Sequence, residues 1–178
     1  MTHFERSEKK GSERSEGSYS FKILPHPADV KLQITASTKE ELFQGALAGM
    51  ASIISSEAPP AGRAGKNKVL PSRARQVLID AKLSKNAQIV KENIEVQSLD
   101  FNALLVDFLS EVLAKTDISH TVFNKLKIKK LTDNFLQTEI EGQKIDYFGQ
   151  EIKAATHHGL EIKQDKSGNY GVTILFDI

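Results

Sequence analysis

The stretch Leu24-Pro25-His26-Pro27-Ala28-Asp29-Val30 joins two predicted strands and carries two side chains suited to catalysis or metal binding, His26 and Asp29. Pro25 and Pro27 have no backbone donor, and each restricts the residue before it to extended geometry. His26 is therefore expected in a rigid, non-helical bend. The chain is organised around this bend, because Asp29 stands at the start of the first regular strand.

A strand precedes the bend, and a strand and a helix follow it. Residues 18–24 are predicted to form the first strand, and alternating apolar and polar residues after the bend indicate a half-buried second strand. The apolar members of that alternation are Val30, Leu32, Ile34 and Ala36. Thr38 and Glu41 form a capping box, which predicts a helix start. Gly45 and Gly49 in this helix cost about 1 kcal/mol each relative to Ala, which favours close packing against a strand or another backbone.

The second half of the chain predicts one more helix and several strands. The helix is predicted from Phe101 to about Lys115, with Ser98 or Asp100 as its cap. Strands are predicted at 73–81, within 86–98, and at 123–131, 135–140, 152–163 and 170–178, with turns at 141–144 and 165–169. The lysine-rich strand 123–131 is interpreted as a protected sheet edge, with a weak basic ridge as the alternative.

This order of elements favours an α+β fold, with a mainly antiparallel sheet or sheets and two principal helices packed on one face. The length of 178 residues suits a single domain, which is predicted to span residues 18–178. Residues 1–17 are mostly Ser, Glu, Lys, Arg and Gly, a composition that predicts a disordered tail.

Composition excludes several functional classes. The net charge of +1 gives no global attraction to nucleic acid or anionic membranes. The absence of cysteine excludes disulfides, thiolate nucleophiles and cysteine-based metal sites. No apolar run approaches the roughly 20 residues of a membrane span, and the first residues lack a signal peptide, so a cytoplasmic location is expected. The basic segment 63–75 is either a solvated loop or an RNA-contacting one, but no aromatic residue is interleaved to stack on bases.

The last predicted strands carry polar groups in apolar surroundings. In the strand 152–163, period two places Thr156 and His158 on the apolar face, where each needs a hydrogen-bond partner. The final strand turns Asp177 away from the core, and the sequence ends at Ile178. A terminal carboxylate is therefore expected beside Asp177, and the two negative groups repel unless a cation or a basic side chain neutralises them.

The second helix carries a further carboxylate pair. Asp107 and Glu111 are four residues apart, on one shoulder of the apolar arc. The pair is interpreted either as a site for a cation or a partner's basic group, or as an ordinary solvated face.

The other candidate functional residues come from three separated stretches, and the sequence does not show that these stretches lie close together in the fold. They are His26, Asp29, Thr156, His158, Asp177 and Ile178. If they meet, their oxygens suit Ca²⁺ or Mg²⁺, and added histidines make Zn²⁺ or Mn²⁺ feasible. The motifs H-E-x-x-H, G-x-G-x-x-G and G-x-S-x-G and the P-loop are absent.

Three stretches, in this order, resemble signatures of the archease family. They are His26-Pro27-Ala28-Asp29-Val30, Leu104-Leu105-Val106-Asp107-Phe108-Leu109-Ser110-Glu111, and Lys153-Ala154-Ala155-Thr156-His157-His158 with the closing Asp177-Ile178. The resemblance covers roughly residues 18–178. Pro27, Phe108 and His157 stand where the family shows Thr, Trp and Tyr, and the segment between Glu57 and Asn93 is long for the family.

The resemblance implies an accessory protein, not itself an enzyme, that activates the RtcB-type RNA ligase of tRNA splicing and RNA repair. It implies that the protein promotes guanylylation and multiple turnover of this ligase. Contact of this protein with RNA is either direct or indirect. It also implies a divalent cation, Ca²⁺ or else Mg²⁺, Mn²⁺ or Zn²⁺, bound by Asp29, Asp177 and Ile178. Candidates for supporting roles at this site are His26, Thr156, His158, Lys153, Asp107 and Glu111.

Two alternatives belong to other functional classes. The first is a metal-dependent hydrolase in which His158 acts as the acid/base beside a metal-bound water. The second is an RNA-binding or chaperone-like adaptor that uses the basic segment 63–75.

Overall fold

The computed structural model describes residues 19–25, 29–56, 88–146 and 148–178. Predictions for the tail 1–17, the bend at 26–28, the basic segment 63–75 and the strand 73–81 lie outside these residues. The described elements are β1 (Tyr19–Pro25), β2 (Asp29–Ala36), α1 (Lys39–Ile54), β3 (Ile89–Gln97), α2 (Phe101–Ser119), β4 (Thr121–Leu131), β5 (Phe135–Lys144), β6 (Ala154–Thr156), β7 (Lys163–Gln164) and β8 (Tyr170–Asp177).

Every strand pairing in the described part of the chain is antiparallel, and the strands form two sheets. In the first sheet the order is β1-β2-β8-β6, and β7 also pairs with β8. Because β2 covers one edge of β8 along its whole length, β6 and β7 share the other edge. The second sheet has the order β3-β5-β4. The lysine-rich β4 therefore lies at an edge, as its sequence predicted.

The two helices pack on the inner faces of both sheets. Helix α1 packs on β1, β2 and β8 of the first sheet and on β4 of the second, whereas α2 packs on β3, β4, β5 and β6. The ring of Phe43 on α1 lies 5.7 Å from that of Phe101 and 5.4 Å from that of Phe108, both on α2. The predicted α+β fold, with two principal helices packed on antiparallel sheets, is confirmed.

Both helix starts follow from local sequence. Thr38 Oγ1 accepts a hydrogen bond from Glu41 N (3.1 Å), and the Glu41 carboxylate accepts one from Ser37 N (3.1 Å). In a standard capping box the glutamate bonds to the N–H of the capping residue itself. Here Glu41 bonds instead to the N–H of Ser37, one residue before the cap. At the start of α2, Asp100 Oδ1 accepts a hydrogen bond from Ala103 N (2.8 Å), which identifies Asp100 as the cap.

The glycines of α1 mark the contact between this helix and the first sheet. A Cβ atom at Gly45 would lie 2.9 Å from Ile34 Cγ2, and one at Gly49 would lie 2.5 Å from Leu32 Cδ2. Both strand residues belong to β2, and both are buried. The expectation that these glycines permit close packing against a strand is confirmed.

The predicted strand 152–163 is wrong over most of its length. Only Ala154–Thr156 and Lys163–Gln164 pair with β8, and a turn lies between them. In this turn Gly159 has φ +64°, a conformation that a regular strand excludes. The segment between β6 and β7 contacts α2 instead of β8, because Ile162 N donates to Asn102 Oδ1 of α2 (3.0 Å).

The turn predicted at 141–144 is also wrong, because β5 continues to Lys144. The glycine that suggested a turn, Gly142, serves close strand packing instead. A Cβ atom there would lie 2.3 Å from the carbonyl oxygen of Val122 on β4, so only glycine lets the two backbones approach this closely.

The turn predicted at 165–169 is confirmed and connects β7 to β8. The carboxylate of Asp165 accepts hydrogen bonds from the backbone N–H groups of Asn169 (2.9 Å) and Ser167 (2.8 Å). These bonds, the Asn169 one first, lower the pKa of Asp165 from its ordinary value. The turn brings the chain into β8 at Tyr170 and so fixes where the last strand begins.

Substituting Gly49→Ala is expected to lower the free energy of unfolding by about 1–3 kcal/mol, although Ala has the higher helix propensity. The added methyl group meets the Leu32 side chain, which is fully buried and has little room to move. Urea unfolding followed by circular dichroism measures the change.

The matched control is the double variant Gly49→Ala/Leu32→Val, because Val lacks the Cδ atoms nearest to position 49. Its loss of stability should be smaller than the sum of the two single losses by at least about 0.5 kcal/mol. Strict additivity would contradict the proposed contact.

Candidate functional site

The pairing of β2 with β8 brings together two carboxylates that are far apart in sequence. In the register of these strands Asp29 lies directly opposite Asp177. Leu32 and Ile34 on β2, and Ile174 and Phe176 on β8, face the buried side. Because side chains alternate along a strand, Asp29 and Asp177 both lie on the outer face.

Residues directly opposite each other in an antiparallel pair have Cβ atoms about 4.5–5.5 Å apart. Like charges at such a position are unfavourable. Asp177 is exposed and Asp29 is half-buried. The register therefore brings two acidic residues to neighbouring positions at the end of the first sheet.

A lysine directly before the third strand, β6, lies at the same point. The register partner of Asp177 on β6 is Ala154, yet the N–H of Lys153 also donates to the Asp177 carbonyl oxygen (2.8 Å). Lys153 lies directly before β6, and this hydrogen bond attaches its backbone to the end of β8. The Nζ atom of Lys153 donates to the oxygen of Ile178 (3.0 Å).

This cluster, Asp29, Asp177, Ile178 and Lys153, is called the carboxylate end below. Its acceptors are oxygens, the ligand type that hard cations such as Ca²⁺ and Mg²⁺ prefer. The residues that the structure describes contain no group of three or more His, Cys, Asp or Glu side chains arranged to hold a metal ion. The carboxylate end thus offers two carboxylates and a main-chain oxygen, with a positive charge already present.

The two polar residues predicted on the apolar face of 152–163 lie elsewhere. His158 is exposed in the turn after β6, so the prediction that it lies on a buried face is wrong. Thr156 pairs with Leu175 on β8, and its Oγ1 is buried with no hydrogen-bond partner among the described residues. The expected partner for this hydroxyl is therefore not found, while His26 lies outside the described residues.

The two carboxylates on α2, Asp107 and Glu111, lie in different environments. Asp107 accepts a hydrogen bond from Ser98 Oγ, and its other oxygen lies 3.6 Å from His157 Nε2. Glu111, one helical turn further along, is exposed. Both contacts of Asp107 were missed from sequence, and the one with His157 depends on how β6 lies against α2.

One lysine of β4 and one of β3 lie next to Glu141 of β5 on the outer face of the second sheet. Lys125 Nζ lies 2.7 Å and Lys91 Nζ 3.2 Å from the carboxylate of Glu141. The hydrogen bond from Lys125, followed by that from Lys91, lowers the pKa of Glu141 from its ordinary value. This pairing agrees with a protected edge rather than a basic ridge.

The two helices and two antiparallel sheets define a small α+β protein, which carries the carboxylate end at one end of its first sheet. Residues 21–178 match the Archease protein family (MTH1598/TM1083). The chain belongs to the archease family.

Among curated relatives, the chain is similar to the protein archease of Methanosarcina barkeri, with 26% identity over 156 residues that cover 83% of this chain and 89% of the relative. It is also similar to the protein archease of Pyrococcus furiosus, with 32% identity over 104 residues, 54% of this chain and 71% of the relative.

Two solved structures share the fold. The solution structure of Methanobacterium thermoautotrophicum protein 1598 has a TM-score of 0.58 and 21% identity, and covers 89% of this chain and 99% of that one. The crystal structure of a Thermotoga maritima archease, described as a possible chaperone, has a TM-score of 0.53 and 16% identity, over 87% of this chain and 94% of that one. None of the helices described here is long and apolar enough to cross a membrane.

Substituting Thr156→Val is expected to leave the free energy of unfolding unchanged or to raise it by up to about 1 kcal/mol. The reason is that the substitution removes a buried hydroxyl that has no partner among the described residues. Thermal unfolding at pH 7 measures the effect.

Thr138→Val is the matched control, because the Thr138 hydroxyl is buried and donates to the Lys127 carbonyl oxygen (2.9 Å). This substitution should lower stability by about 1 kcal/mol. Equal losses at the two positions would show that Thr156 is hydrogen-bonded after all.

Proposed function

We propose that this archease-family chain is an accessory activator of an RtcB-type RNA ligase, the enzyme that joins RNA ends in tRNA splicing and RNA repair. The chain promotes guanylylation of the ligase and its return to further rounds of ligation. The chemistry of ligation stays in the ligase, and the chain contributes no catalytic residue. The observation that carries this proposal is the family match over residues 21–178, which includes both strands that supply the carboxylate end.

In this proposal the carboxylate end holds a divalent cation, with Ca²⁺ as the first choice. Asp29, Asp177 and the oxygen of Ile178 are its ligands. The chemistry of the donor set supports the assignment, since two opposed carboxylates and a main-chain oxygen suit a hard cation. When bound, the cation neutralises the carboxylates and presents a positive centre to a partner.

The strands give this site its rigidity. The central strands β2 and β8 hold Asp29 and Asp177 in register, and the hydrogen bond from Lys153 N to the Asp177 carbonyl oxygen attaches the start of β6 to the same point. Sites on regular strands hold their geometry better than sites on loops. The ligase therefore meets a preformed end of the sheet, and any contact with RNA is indirect.

Neither alternative function is supported by an observation comparable to the family match. The hydrolase requires His158 as acid/base at the metal, but the chain leads away from Asp177 after β6, and His158 lies in an exposed turn. The RNA-binding adaptor depends on the segment 63–75, which lies outside the described residues.

A ligation assay with the cognate ligase, GTP, a divalent cation and excess RNA ends tests the proposed function. Wild-type chain should accelerate turnover, whereas Asp29→Asn and Asp177→Asn should each reduce this stimulation by at least about tenfold. The reason is that each variant removes one of the two carboxylate ligands. The amount of ligase–guanylate adduct, followed in the same reactions, reports the guanylylation step separately.

The control variant is Asp117→Asn, which makes the same chemical change on the exposed face of α2. It should stimulate ligation as the wild type does. Full stimulation by Asp29→Asn and Asp177→Asn would disprove the site assignment, and failure of the wild-type chain to stimulate the ligase would disprove the proposed function.

A further inference from the structure

The second sheet has two edges, and they differ in how well they are protected. At one edge, β4 carries four lysines and its register with β5 is irregular at two places. Lysines and bulges are the devices that keep an edge strand from pairing with other chains. At the other edge, β3 keeps an unbroken register with β5 over all nine of its residues. No strand in the described part of the chain pairs with the other side of β3, which is called the open edge below.

Hydrogen bonds at the two ends of β3 show which of its backbone groups face the open edge. Ser98 N donates to Asn134 O beyond one end (2.9 Å). Lys144 N donates to Gln88 O beyond the other end (3.1 Å). Both bonds lie on the side of β5, and backbone groups alternate between the two sides of a strand, so the even-numbered residues bond to β5. The backbone N–H and C=O groups of the odd-numbered residues therefore point to the open edge; these residues are Ile89, Lys91, Asn93, Glu95 and Gln97.

The side chains of these odd-numbered residues are exposed, and their charges are ordered symmetrically about Asn93. Lys91 lies two residues before Asn93, and Glu95 lies two residues after it. Both side chains are already held on the outer face, because Lys91 contacts Glu141 (3.2 Å) and Glu95 accepts a hydrogen bond from Gln137 (3.3 Å). A second copy of β3, placed antiparallel with Asn93 opposite Asn93, brings each Lys91 opposite a Glu95. Opposite charges at such positions stabilise a strand pair.

Other registers lack this complementarity. Centring the pair two residues earlier places Lys91 opposite Lys91, and centring it two residues later places Glu95 opposite Glu95, and like charges in these positions are destabilising. A shift of one position either way leaves both charges opposite uncharged residues. The register centred on Asn93 also pairs β3 over its whole length and sets Val90 opposite Val96 on the inner face. The open edge is therefore complementary to itself in one register.

Exposed apolar side chains lie on β3 and beside it. Lys115 Nζ of α2 lies 3.1 Å from Glu92 Oε2, which places this part of α2 against the middle of β3. Ile118 is three residues further along the helix, on the same side, and is 84% exposed. Ile89, at the start of β3, is 57% exposed. These are two of the three large apolar side chains that are exposed among the described residues, and covering them would favour association.

We propose that the open edge of β3 is a self-association surface, at which a second copy of this chain pairs to form a symmetric dimer. Each copy contributes the same strand, as a two-fold interface requires. The pairing joins two three-stranded sheets into one antiparallel sheet. Two contacts between Lys91 and Glu95 flank the central pair of Asn93 residues.

Sedimentation equilibrium of the full chain at low salt tests the proposal. The wild type should form a dimer, and Lys91→Glu and Glu95→Lys should each weaken it by at least about tenfold, because each turns two attractive pairs into repulsive ones. An equimolar mixture of the two variants should recover the dimer. One variant then supplies only glutamates at these two positions, and the other supplies only lysines. A mixture that stays monomeric would overturn the proposal.

The matched control is Lys127→Glu, which makes the same change at the protected edge. Lys127 is exposed, and its register partner on β5 is Glu139, so the substitution also places a glutamate beside a glutamate within one copy. This variant should dimerise as the wild type does. Equal weakening by Lys127→Glu and Lys91→Glu would show a general effect of charge and count against the open edge.

A single introduced cysteine gives a second readout, because the chain has no cysteine of its own. In the proposed register the two Cα atoms at position 93 lie about 5.5 Å apart, a separation that a disulfide bridges. Mild oxidation of Asn93→Cys should therefore yield a covalent dimer, whereas Lys127→Cys at the protected edge should not. This readout keeps the native charges of β3, so it applies even if a charge-reversed variant folds poorly.

The remaining outcomes also decide the proposal. A wild-type chain that stays monomeric while the odd-numbered amides of β3 resist hydrogen exchange would show that the edge is covered within one copy, and the proposal would fail. A dimer that is unaffected by Lys91→Glu and Glu95→Lys would place the interface elsewhere, with the same result. Dimerisation that both variants weaken, that their mixture recovers and that Asn93→Cys traps would support the proposed register.

Discussion

The antiparallel pairing of β2 with β8 is the constraint on which the rest of the structure depends. These two central strands turn one face to the helices and the other outward. A shift of one residue in their register would move every inward side chain to the opposite face. The same register sets Asp29 opposite Asp177, so the core and the carboxylate end are fixed by one set of hydrogen bonds.

Local signals allowed much of the fold to be predicted. The alternation after Asp29, the caps at Thr38 and Asp100, and the glycines of α1 each depend on neighbouring residues, and each appears in the structure as expected. The candidate ligands were also found in the sequence, because a polar residue at the end of an apolar strand is conspicuous. Their opposition across β2 and β8 required the sheet order, which no local pattern contains.

The errors share one physical origin, which is that long-range contacts overrode local periodicity. The period-two pattern of 152–163 predicted one strand, but Asn102 of α2 binds Ile162 and the chain leaves the sheet. Gly142 looked like a turn residue, but it permits close approach to β4. His157 reaches Asp107 because β6 lies against α2. Each of these contacts joins residues whose proximity only the folded chain establishes.

The sheet order also has a consequence for folding. The central strand β2 lies near the start of the described chain, and its partner β8 lies at the far end. A ribosome delivers β2 long before β8, so during synthesis β2 has an open edge. Open edges of this kind recruit strands from other chains, and incompletely folded intermediates aggregate through them. Lysines protect the permanent edge at β4, whereas the temporary edge at β2 is protected only when the last strand arrives.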